Sequence, residues 1–115
     1  MRTIHIAVAT AGNVKARAKA AFKGGPQGEH ISFASLDLMH RVLTPNRWDV
    51  LKALMGRGEI GIRELARTLD RDVKAVHTDV TALADAGVIE RTKSGAVVFP
   101  FDAIRVNFLV TSSPP

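Results

Sequence analysis

The chain has 115 residues, 46% apolar and 23% charged, a balance that fits one soluble globular domain long enough to bury a core. It contains no cysteine, which excludes disulfides and cysteine-based zinc sites, and its net charge of +5 attracts polyanions, nucleic acid first among them. No apolar run reaches the ~20 residues of a membrane span. The apolar core of "MRTIHIAVATAG" is too short, and interrupted by His5, for a signal peptide. The expectation is a cytoplasmic protein without a membrane anchor.

Thr3–Ala9 alternates and is β-branched, which predicts a strand. Thr10 can cap a following Ala-rich helix in which Val14, Ala18, Ala21 and Phe22 recur at helical spacing and Lys15, Arg17, Lys19 and Lys23 meet no acidic residue. "GGPQG", Gly24–Gly28, is a connector. His30–Ser35 reads as a second strand and Leu36–Leu43 as a helix.

Thr44-Pro45 is a helix start, a hydroxyl cap followed by proline at the first helical position. The helix it opens is expected to bury Trp48, Leu51, Leu54 and Met55 and to end at Gly56 and Gly58. Ile62, Leu65, Ala66 and Leu69 mark one face of a second helix. Asp70-Arg71 is a tight turn, and Asp72 caps a third helix that Gly87 terminates. Val88–Arg91 and Ala96–Phe99, joined by "TKSG", predict a β-hairpin. Asp102–Val110 alternates again, with Ile104, Val106 and Phe108 on one face, and predicts a last strand; residues 111–115 read as a frayed tail.

Helix, short helix, tight turn, helix and hairpin make an α+β fold: a winged helix-turn-helix over residues 36–110, with an added strand–helix–strand segment over 1–35 for dimerisation or partner binding. In the third helix, at about 100° per residue, Val73, Val76, Val80 and Leu83 share a buried arc. His77 and Asp79 diverge by about 200° and cannot converge on one metal ion. The opposite face offers Lys74, Ala75, Thr78 and Thr81, with Ala82 and Asp85, His77 at its edge and Arg71 in the preceding turn. Lys and Thr can reach base edges in a DNA major groove, and Ala or Thr methyls can meet thymine methyls. Asp79 and Asp85 would repel phosphate, so they are expected to face away, either pairing with a neighbouring arginine or, for Asp79, capping a loop. Arg91, Lys93 and Ser94 at the hairpin tip, and Arg63 and Arg67 four apart on the second helix, suit phosphate contacts.

The runs "LTPNRWDVLKAL", "IRELARTLDRDVKAVHTDVTALADAGVIE" and "VVFPFDAIRV" resemble the small MarR/ArsR-like winged-helix DNA-binding proteins of bacteria and archaea, and "IHIAVATAGNVKARAKAAFKG" resembles the segment that opens members of that group. The resemblance implies a cytoplasmic transcriptional regulator, a repressor or autorepressor, that binds a palindromic operator in double-stranded DNA as a homodimer. It implies as an alternative the antitoxin of a toxin–antitoxin pair, which neutralises a protein toxin and represses its own operon. By position it makes Lys74, His77 and Thr78 readers on the recognition helix and puts Arg91 and Lys93 on the wing. The reading face lacks the arginine common in that superfamily, which puts strong guanine readout in doubt. No catalytic constellation, cofactor site or metal site is expected: there is no tyrosine, and "GGPQG" lacks the lysine and hydroxyl of a phosphate loop.

Overall fold

The computed structural model describes residues 2–8, 29–110 and 112. The helix expected after Thr10, the "GGPQG" connector and the tail other than Ser112 lie outside the described residues. What is described is an α+β arrangement of four helices, a three-stranded sheet and a hairpin.

Strand β1 (Thr3–Val8) lies between β2 (Glu29–Phe33) and β5 (Ala103–Asn107), and both neighbours run parallel to it. All three strands pair within one chain. Alternation sends Ile4 and Ile6 into the core with Phe33, and leaves a polar face on which His5 stands in register with His30 on one side and Arg105 on the other. Arg2 holds the start of the sheet. Its guanidinium pairs with Glu29 at 2.8 Å and lies 4.8 Å from the centre of the Phe101 ring, while its backbone N–H donates to Asp102 Oδ2 at 2.9 Å. The hydrogen bond to Glu29 raises the already high pKa of Arg2 further.

The second strand stops at Phe33 because Ser35 is used elsewhere: its Oγ accepts from the Leu38 N–H at 3.1 Å and caps α1 (Leu36–Val42). Helix α2 (Pro45–Leu54) starts at the Thr44-Pro45 cap as expected. Its buried residues are Val50, Leu51 and Leu54, with Trp48 and Met55 only half-buried at the edges. Helix α3 (Ile62–Leu69) buries Leu65 and Ala66 and ends at Asp70, which takes the left-handed conformation at φ 52°. Helix α4 (Val73–Asp85) begins where Asp72 Oδ2 accepts from the Ala75 N–H at 3.2 Å, and stops before Gly87, at φ +79°.

The hairpin pairs β3 (Glu90–Arg91) with β4 (Val97–Val98) antiparallel, a narrower ladder than the two expected runs because Val88, Ile89 and Phe99 turn into the core. Val97 also exchanges both backbone hydrogen bonds with Ile60, at 3.0 and 2.9 Å, so the chain before α3 lies alongside the hairpin. One apolar cluster runs from Ile4, Ile6 and Phe33 through Leu51, Leu65 and Val80 to Phe99. The expected division at residue 35 therefore does not separate two cores, and β5, from the far end of the chain, completes the sheet that β1 begins.

The last strand is shorter than expected. It ends at Asn107, whose partner on β1 is Ala7, because β1 itself ends one residue later. Leu83→Ala, at a fully buried position on the inner face of α4, is expected to destabilise the protein by about 3 kcal/mol, and Asp72→Ala by about 1 kcal/mol through the lost cap; urea unfolding measures both.

Candidate nucleic-acid interface

The surface of interest is built on α4, and its rotation is set by one buried carboxylate. Taking Val76 as the centre, Val80 and Leu83 fall close on either side, while Val73 and Asp79 lie about 60° away in opposite directions. Sequence periodicity favours Val73 for the core. The structure takes the other side: Val73 is 43% exposed and Asp79 9%. Two arginines explain the choice. Arg47 Nε donates to Asp79 Oδ1 at 3.1 Å, and Arg71 Nη2 lies 2.8 Å from Oδ2. The second contact is close but poorly aligned for a hydrogen bond, so it acts as an ion pair, and Arg71 Nη1 stays buried without an acceptor among the described residues. Arg47 also donates through Nη1 to the carbonyls of Arg41 and Val42, each at 3.1 Å, where the C-terminus of α1 needs partners. Asp79 thus ties α1, α2 and the α3–α4 turn to α4.

This contact corrects one expected site residue. The sequence groups Arg71 with the readers of α4, whereas its guanidinium faces inward on Asp79. The expected pairing of Asp79 with an arginine is present, with two arginines in place of one. Arg47 carried no sequence signal, because its partner is 32 residues away. The signal for Asp79 was available: it falls within the width of the apolar arc.

With α4 so rotated, Lys74, Ala75, His77 and Thr78 are exposed on its first two turns. The Thr78 hydroxyl donates back to the Lys74 carbonyl at 3.1 Å, which leaves its methyl group and oxygen lone pair for a partner. Thr81, one turn further, is half-buried and accepts a hydrogen bond from Arg91 Nη2 at 2.7 Å. That bond joins two expected site residues to each other and fastens the hairpin to α4. At the hairpin tip Lys93 and Ser94 are exposed, Gly95 supplies φ +87°, and the Thr92 and Ser94 hydroxyls share a hydrogen bond of 2.9 Å. Arg63 and Arg67 are exposed on α3 and border, with Arg71, an open cleft of about 390 Å³ at the start of α4. Asp70 and Asp72 line the same cleft and offset part of that charge.

The surface carries cations, hydroxyls and methyl groups in fixed places, which suits recognition of a polyanion. Among the described residues no three His, Asp or Glu side chains come together in a way that could hold a metal ion. Among the same residues, no helix is long and apolar enough to cross a membrane.

Asp79→Ala is expected to cost about 3–5 kcal/mol, because it leaves two largely buried arginines without their counter-charge. Arg91→Ala removes only an exposed hydrogen bond and should cost about 1 kcal/mol or less. Denaturant titration of the two variants against the parent separates these cases, and equal losses would refute the ranking.

No curated protein matches the chain, and no solved structure does. A family model does match, over residues 42–106, a span that runs from the end of α1 through α2, α3, α4 and the hairpin into β5. That span is more than half of the chain and contains every candidate residue of the surface, and the chain belongs to the HVO_A0114 family.

Proposed function

We propose that this protein is a sequence-specific double-stranded DNA-binding transcriptional regulator, a winged helix-turn-helix that inserts α4 into the major groove and sets the hairpin tip on the backbone or minor groove. The observation that carries the reading is the hydrogen bond from Arg91 to Thr81. Lys74, Thr78 and Thr81 stand at i, i+4 and i+7, on one face of α4, so the bond makes that face and the basic hairpin one continuous surface. Exposed Lys74 and the Thr78 methyl group suit base edges and thymine methyls, with Ala75 giving low relief and His77 a contact at the edge. Lys93, Ser94 and the Arg63–Arg67 pair suit phosphate, whose recognition positions a protein without reading sequence. The net charge of +5 supports association with a polyanion. In this reading two copies bind a palindromic operator, each with one α4 in a major groove about one helical turn from the other.

Fluorescence anisotropy on the protein's own promoter tests the reading. Lys74→Ala and Thr78→Ala should each reduce the preference for that promoter over random duplex by about 1–3 kcal/mol. Lys93→Ala should weaken binding to both duplexes alike and reduce the salt slope by about 1. A parent protein with no salt-dependent affinity for any duplex sinks the proposal.

A further inference from the structure

The two edges of the three-stranded sheet differ in character. β2 closes one edge with the polar sequence Glu29, His30 and Ser32 interleaved with Ile31 and Phe33. β5 closes the other, and among the described residues nothing pairs with its outer side. Apolar exposure gathers at this second edge. Val106 is 38% exposed, Phe108 44%, Leu109 86% and Val110 69%, and these four make up most of the large exposed apolar side chains of the described residues. In an extended chain Val106, Phe108 and Val110 alternate to one face and Leu109 to the other, so exposed apolar side chains flank this edge on both sides.

An unpaired strand edge is a template for another strand, and proteins that keep such an edge unpaired protect it with charge, proline or brevity. Between Ala103 and Val110 the only charge is Arg105, and there is no proline. The sequence also complements itself. If residues 108–110 continue the strand and a second copy runs antiparallel about a twofold axis at Phe108, Val106 meets Val110 of the partner subunit, and Phe108 meets its own copy. In that register Arg105 does not oppose another arginine, so no like-charge pair arises.

We infer that the outer edge of β5 at Val106, continued by the chain that follows it to Val110, is the surface through which two copies of this chain pair, joining two three-stranded sheets into one of six strands. The inference deepens the proposed reading, which requires two copies on one operator, by naming the surface that brings them together. Edge-to-edge pairing over these few residues buries less than the ~1,200 Å² lower bound for stable specific interfaces, so the dimer is weak and concentration-dependent.

Sedimentation velocity of the full chain without DNA, over a hundredfold range of concentration, tests this. The parent is expected to shift from monomer to dimer across that range. Phe108→Asp and Phe108→Lys should each remain monomeric, with at least a tenfold weaker association, while circular dichroism shows both folded. Mixed one to one, the two variants should recover the dimer, because residue 108 faces its own copy across the axis. Val110→Asp, at a more exposed position that folding tolerates, should also give a monomer. A parent that is monomeric throughout, a Phe108→Asp protein that dimerises as the parent does, or a mixture that stays monomeric overturns the inference. These readouts involve no nucleic acid, so loss of promoter binding with an intact dimer condemns the DNA reading alone.

Discussion

One carboxylate sets the arrangement on which the rest of this protein depends. Asp79 is buried among apolar side chains, an environment in which an isolated ionised group costs several kcal/mol, and it is tolerated because Arg47 and Arg71 both reach it. A buried ion pair of this kind adds little net stability over a well-packed apolar replacement. Its effect is selective. Any rotation of α4 that buried Val73 in place of Asp79 would strand two arginines, so the helix has one seating and not two. Because Arg47 simultaneously closes the C-terminus of α1, that seating extends to the placement of α1 against α2.

The surface features follow from the seating. Arg71, adjacent in sequence to the candidate readers, is spent on the interior, and Lys74 becomes the basic residue offered by the first turns of α4. Thr81 is drawn to the boundary between helix and hairpin, where Arg91 holds it. The outward face is therefore short and modest in relief, flanked by a basic tip on one element and by arginines of α3 on another. The cleft beside α3 is open and partly neutralised by its own aspartates.

The sheet ties the two ends of the described chain together. Parallel pairing of β1 with β2 and β5 requires long connections, and the one between β1 and β5 passes through α1 to α4 and the hairpin. The helical unit is thereby enclosed between strands that share its core, and loosening either end would expose Ile4, Ile6 and Phe33. The same topology leaves β5 at an edge, where its apolar alternation outruns the strand that supports it.

The sequence by itself determined the features that depend on near neighbours along the chain. The Thr44-Pro45 start, the Asp72 cap, the turn at Asp70, the stop at Gly87 and the hairpin around Gly95 are each decided within about four residues, by hydrogen bonds or φ angles that one residue type supplies. The order of helices and hairpin, and the exposure of Lys74, Ala75, His77 and Thr78, were legible for the same reason. Only the tertiary structure decided which side of α4 faces inward, that Arg71 points to the core, that Ser35 caps a helix and does not extend a strand, and that β1, β2 and β5 form one parallel sheet. Those outcomes rest on partners distant in sequence, such as Arg47 and Asp79, and periodicity carries no information about a partner that the chain brings near only on folding.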